Sequence, residues 1–191
     1  MERAMPENLP RDLDKLLCNY LKYKAFTACS VGVLKSGKKN RSADVYLHRF
    51  AGRDSYNNSI DKSAVFDLAS LTKPLVTVLC ILSLIEEGAC RPEDHLDKYF
   101  PSLVPADKRT ITLYQLLTHC SGLPAHRPYY EELLEWDESS RMNRLVERIL
   151  GEKLQFSPTT DTLYSDLGFI LLGRIIEIAS GVSLDTYWRR K

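Results

Sequence analysis

Between Leu71 and Ile85 lies the feature that most restricts the fold of this chain. Leu71, Leu75, Val76, Val78, Leu79, Ile81, Leu82, Leu84 and Ile85 run round nearly the whole circumference of a helix. A helix that is apolar on every side is a buried one, so this segment is expected to form the central core helix. Glu86-Glu87-Gly88 ends it, with Gly88 as the left-handed cap. Pro74 fits its first turn, where a missing N–H is tolerated. A buried central helix needs a real core around it. The 191 residues, 44% hydrophobic and 27% charged, are enough to build one.

The flanking patterns are simpler. Leu13, Leu16, Leu17, Tyr20 and Leu21 predict a helix over 11–24 with a polar opposite face. Thr27 to Leu34 reads as a strand, Lys35-Ser36-Gly37-Lys38 as a turn, and Ala43 to Phe50 as a second, antiparallel strand. Gly52 to Lys62 is polar and loop-like, and Arg91 to Pro105 is mostly loop. Thr112 to Leu117 is a short helix with Thr112 as cap and Gln115 in the capping-box position. Helices follow over Asp137–Leu150 and Asp166–Ser180, with Gly181 beyond the second. Two early strands are an incomplete inventory for a sheet-containing domain, since a lone hairpin is marginal in water.

Bulk properties exclude several roles. A formal net charge of +1 leaves no electrostatic footprint for nucleic acid or an anionic membrane. No stretch is read as reaching the roughly 18–20 apolar residues of a membrane span. Met1 to Asp12 is polar, carries two prolines and lacks the apolar centre of a secretory signal. With Met1 as the start, the expected location is the cytoplasm. Cys18, Cys29, Cys80, Cys90 and Cys120 are odd in number and show no C-x-x-C spacing, so buried free thiols are expected. His48, His95, His119 and His126 lack metal-ligand spacing, and no zinc site is expected.

Three segments carry candidate chemistry. Ser-x-x-Lys occurs at Ser36/Lys39, Ser59/Lys62 and Ser70/Lys73, so the bare pattern decides nothing. Ser36 and Ser59 lie in polar turn-like stretches. Ser70 stands at the start of the most apolar helix, where Lys73 shares its face one turn on. A serine hydroxyl needs an adjacent base, and a lysine can be one if its pKa is lowered. The alternative is that Ser70 merely caps the helix. Tyr164-Ser165-Asp166 precedes a strong helix, and a phenol near a lysine is a candidate proton carrier. The plainer view makes Asp166 the N-cap and Tyr164 a packing staple. In Leu116-Leu117-Thr118-His119-Cys120-Ser121-Gly122-Leu123-Pro124, a helix end meets a Ser-Gly turn. His119 lacks an acidic neighbour in sequence, so it is expected to anchor the turn rather than act as a base.

In this order, the segments Phe66–Lys73, Leu116–Pro124 and Tyr164–Phe169 resemble the class C β-lactamase-related serine hydrolases. That family includes class C β-lactamases, D-Ala-D-Ala carboxypeptidases and β-lactamase-fold esterases. Glu87-Gly88, Leu96–Pro101, Leu171–Glu177 and Ser180-Gly181 resemble its connecting pattern, so the likeness spans about residues 25 to 188.

The resemblance implies an α+β, β-lactamase/transpeptidase-like fold. A largely helical part over 67–188 would adjoin an incomplete antiparallel-sheet part over 11–66. It makes Ser70 the acylated nucleophile, Lys73 its activating partner and Tyr164 the proton shuttle, with the Ser70 N–H as one oxyanion donor. Asp166 takes a supporting, substrate-binding position, and His119, Ser121 and Gly122 form a structural motif. No metal or organic cofactor is implied.

Two departures stand out. The family's Tyr-x-Asn ends here in Asp166, which favours a charged Lys73. The late Lys/His-x-Gly strand lies beyond Lys191, so the chain is expected to be the amino-terminal part of a longer enzyme. The expected reaction is acyl transfer to Ser70 and hydrolysis of small esters or related acyl compounds, β-lactams included. The alternative is a truncated or degenerate homologue without activity, acting as an interaction module. An α/β-hydrolase is disfavoured because no G-x-S-x-G occurs.

Overall fold

The computed structural model describes residues 8–36 and 43–191. The chain divides into two compact units, Met1–Asp67 and Leu68–Lys191.

In the first unit, helix α1 spans Leu9–Lys22, opened by Pro10 in its first turn. It packs on the second strand, burying Leu17 and leaving Leu16 and Tyr20 exposed. Strands β1 (Ala28–Ser36) and β2 (Ala43–Gly52) pair antiparallel from Ala28↔Gly52 to Ser36↔Ala43, with a bulge at Val33/Leu34. Gly37 and Lys38 of the expected turn, and Lys39 of the first Ser-x-x-Lys pair, lie outside the described residues.

The second unit begins at the candidate nucleophile. Ala69–Leu71 forms a 3₁₀ turn, Lys73–Thr77 a π-helical turn, and only Val78–Glu86 a regular α-helix, α2. Pro74 removes one N–H from these first turns, and such π segments are frequent at functional sites. Gly88, at φ +74°, ends α2, and the Ala89 N–H reaches back to the Leu84 carbonyl at 2.9 Å.

Short helices α3 (Leu96–Tyr99) and α4 (Leu113–Leu117) follow. At the start of α4 the capping box is complete: the Gln115 N–H donates to Thr112 Oγ1 at 3.1 Å. The Thr112 N–H returns to Gln115 Oε1 at 2.9 Å. Then come α5 (Tyr130–Leu133), α6 (Glu138–Leu150), α7 (Asp166–Ser180) and α8 (Leu184–Arg190).

The centre of this unit is α7, which packs on α2, the π-helical turn, α4, α6 and α8. Leu171, Leu172, Ile175 and Ile176 are all 0% exposed. That corrects the expectation for the helix after Ser70. Its Cys80, Ile81 and Leu84 are buried, but Leu71, Leu75, Leu79 and Leu82 are 57%, 45%, 45% and 52% exposed. Those four recur at helical spacing on one side, and among the described residues that side stays open.

A second correction concerns length. Ala69–Glu86 is, by length and composition, long and apolar enough to cross a membrane. Ser70, Thr72, Lys73 and Pro74 at its start break up the apolar run when it is read residue by residue. The thiols are also less uniform than expected: Cys80 and Cys90 are buried, but Cys18 is exposed.

Because Leu171 is fully buried at the centre, Leu171→Ala is expected to cost about 2–5 kcal/mol in lost transfer energy and a residual cavity. A urea midpoint series checks this. A loss below about 1 kcal/mol would mean that α7 is not the core of this unit.

Candidate active site

Ser70 is exposed on the 3₁₀ turn, immediately after Ala69, whose φ is +44°. A non-glycine residue in the left-handed region is uncommon and costs on the order of 1–3 kcal/mol, which the surrounding structure must hold in place. One turn on, Lys73 Nζ donates to Ser70 Oγ at 3.2 Å and to Asp166 Oδ1 at 2.7 Å. The Lys73 side chain is 15% exposed and that of Asp166 38%. The ammonium is therefore mostly buried and the carboxylate partly exposed. The effect of the pair is on charge and placement.

Asp166 reaches Lys73 because another residue does the capping. Ser165, 1% exposed, is the N-cap of α7: its Oγ accepts from the Gly168 N–H at 3.2 Å and donates to the Pro124 carbonyl at 2.7 Å. That displaces the expectation that Asp166 caps the helix. Asp166 is instead the first helical residue, with its carboxylate free to turn towards Lys73. Ser165, with Gly168 three residues on, carried the ordinary N-cap signal.

His119 Nδ1 accepts from the Ser165 N–H at 3.0 Å, and the His119 carbonyl accepts from Leu163 at 3.0 Å. Its ring lies between Tyr164 and Phe169, with centroids at 4.6 and 5.0 Å. Burial, then the Lys73 charge, lowers the His119 pKa and keeps the ring neutral. His119 thus ties two segments together with the nitrogen a general base would need.

Ser121 is 1% exposed and accepts from the Leu123 N–H. Gly122 has φ +79°, and its carbonyl accepts from the Gln155 N–H at 2.8 Å. A Cβ there would stand 2.2 Å from the Phe156 carbonyl oxygen.

The charges are arranged in one direction. Burial pushes the Lys73 ammonium towards neutrality, but Asp166 and Tyr164 outweigh it and hold its pKa above the ordinary value. The Tyr164 phenol is pulled below its ordinary value by Lys73 first and Ser70 second. Asp166 is lowered chiefly by its bond to Lys73, against burial, with help from His126. The lysine is therefore a fixed cation, and the tyrosine beside it is the group whose proton is loosened.

Leu68, Leu71, Val78, Leu117 and Phe169 wall an open recess of about 500 Å³ against Ser70, Lys73 and Tyr164. Its lining is mostly apolar, with the Lys73 ammonium among the lining groups. The Ser59/Lys62 pair is not built this way: both residues lie in the loop of the first unit. Among the described residues no group of three or more His, Cys, Asp or Glu side chains is placed to hold a metal ion.

The family model described as Beta-lactamase matches residues 13–191. Penicillin-binding protein 4* of Bacillus subtilis is 33% identical over 144 residues, covering 73% of this chain and 31% of its own. Among solved structures, the octameric penicillin-binding protein homologue from Pyrococcus abyssi superposes with a TM-score of 0.74 at 25% identity. That match covers 94% of this chain and 41% of the homologue. The D-alanine carboxypeptidase AmpC from Burkholderia cenocepacia gives a TM-score of 0.69 at 20% identity, over 95% of this chain and 47% of its own. The chain spans about a third of the length of the curated relatives it matches. The fold is β-lactamase/transpeptidase-like.

Proposed function

We propose that this chain, which belongs to the beta-lactamase family, carries the acyl-transfer site of a serine hydrolase, with Ser70 as nucleophile. The observation that carries this is the Ser70–Lys73–Asp166 chain, linked at 3.2 and 2.7 Å beside Tyr164. Ser70 Oγ attacks the acyl carbon as its proton passes to the deprotonated Tyr164 oxygen, which hands it to the leaving group as the bond from the acyl carbon to that group breaks. The Lys73 ammonium keeps the Tyr164 oxygen acidic and steadies the developing charge. The N–H of Ser70, at the head of its helix, supplies one donor for the oxyanion. Water then hydrolyses the acyl-enzyme.

Small esters and related acyl compounds, β-lactams among them, suit the recess of Leu68, Leu71, Leu117 and Phe169 beside Ser70. Turnover of a short-chain chromogenic ester, compared with Ser70→Ala, tests the proposal. Turnover that falls to the uncatalysed rate in Ser70→Ala is the expected result, and equal turnover in both proteins would refute it.

One observation favours a second possibility, a non-catalytic interaction module. Leu71, Leu75, Leu79 and Leu82 form an exposed apolar side. Such a module binds an apolar dye on that side and leaves the ester intact.

A further inference from the structure

His126 belongs to none of the motifs above, yet it meets the site. Two hydrogen bonds clamp the turn before it to the head of α7: Ser165 Oγ donates to the Pro124 carbonyl at 2.7 Å, and the Asp166 N–H to the Ala125 carbonyl at 2.8 Å. This places His126 Nδ1 3.2 Å from Asp166 Oδ2. A carboxylate only accepts, so the proton of this bond sits on Nδ1. The other carboxylate oxygen, Oδ1, holds Lys73.

The neighbouring cation is engaged elsewhere. Arg127 grips Glu152 through Nε at 3.1 Å and Nη2 at 2.9 Å. The groups facing Asp166 are therefore Lys73 from the π-helical turn and His126 from the turn after α4, with the His119 and Tyr164 rings nearby. Facing His126 there is, besides Asp166, the Tyr130 ring, with centroids 6.3 Å apart.

We infer that His126 is a positioning residue for the proposed hydrolase: its Nδ1–H fixes the Asp166 carboxylate so that Oδ1 anchors Lys73 beside Ser70. The inference rests on the acyl-transfer site proposed above. An aspartate carboxylate turns about χ2 in a broad, two-fold well, so one bonded oxygen leaves the other free to swing. The second bond removes that freedom. Asp166 is partly exposed and His126 more so, at 38% and 58% of the side chain, so the effect is that of a single wet hydrogen bond.

Losing the donor also raises the Asp166 pKa, because His126 is one of the groups that lower it. Asp166 must be ionised to hold Lys73. The hold is lost as pH falls through the Asp166 pKa, so removing His126 starts that loss at a higher pH.

The test compares the full chain with His126→Phe, which removes the donor, and His126→Asn, whose amide N–H₂ can donate from near the Nδ1 position. Two readouts are taken: the Asp166 carboxyl titration by carbon-detected NMR, and the pH profile of Ser70 phosphonylation by a fluorophosphonate. Expected in His126→Phe are an Asp166 midpoint at higher pH, an acid edge of labelling moved the same way, and a plateau rate about 3- to 10-fold lower. His126→Asn is expected to recover all three towards the wild type. An unmoved Asp166 midpoint in His126→Phe overturns the inference whatever the labelling shows. So does an identical labelling profile in three proteins that all label at Ser70. A midpoint that moves in His126→Phe, with a wild-type chain that never labels at Ser70, would sink the hydrolase proposal and leave the hold of His126 on Asp166 supported.

Discussion

Tyr164→Phe is expected to slow acylation of Ser70 by about 10²–10⁴-fold, the usual contribution of a positioned proton carrier. It is also expected to flatten the rise of rate with pH. Asp166 Oδ1, 2.7 Å from Lys73 Nζ, keeps the lysine charged above its ordinary range, so a neutral lysine base is disfavoured. The same ammonium lowers the Tyr164 phenol, with Ser70 adding to the pull. A base works when deprotonated, so the rate climbs as pH rises through the lowered Tyr164 pKa, and phenylalanine removes that climb. Stopped-flow labelling across the pH range measures it. A pH profile of unchanged shape in Tyr164→Phe would return the base role to Lys73.

Gly122→Ala is expected to cost roughly 2–6 kcal/mol, the sum of a strained left-handed residue and an overpacked contact. Gly122 has φ +79°, and the added Cβ would lie 2.2 Å from the Phe156 carbonyl oxygen. Backbone on both sides of that contact leaves no flexible side chain to yield. The displaced strip is the one that ties Gly122 to Gln155 and His119 to Leu163 and Ser165, so site geometry should suffer with stability. Gly88→Ala is the control: φ is +74° there, but nothing lies within 4 Å of the new Cβ. Thermal or urea unfolding of both variants checks the contrast. Equal losses would show that strain alone, and not the Phe156 contact, dictates glycine at position 122.

Much of this was legible beforehand, for identifiable reasons. The Thr112/Gln115 capping box and the Gly88 and Gly181 stops are local, so three or four residues suffice to specify them. The first strand is a short run bounded by turn residues and the long helix α7 is strongly periodic, and both patterns survive without tertiary context. Context decided what was missed. Apolar residues all round the helix after Ser70 implied cover on every side, whereas α7 covers one side only and Leu71, Leu75, Leu79 and Leu82 stay open.

The same holds at the site. Asp166 was the expected cap, but Ser165 takes that place, held there by the Pro124 carbonyl that accepts from its hydroxyl. Ala69 at φ +44° has no sequence signal, because alanine ordinarily avoids that region. His126 lies 40 residues from Asp166 and joins it only once the two backbones are clamped.

The central claim is that Ser70 alone, of three Ser-x-x-Lys serines, is a nucleophile. Intact-mass analysis with peptide mapping after exposure to a β-lactam or fluorophosphonate tests it most directly. A single adduct on the peptide holding Ser70, absent in Ser70→Ala and faster to form than any at Ser36 or Ser59, is the predicted result. No adduct at Ser70, or one that persists in Ser70→Ala, would contradict it.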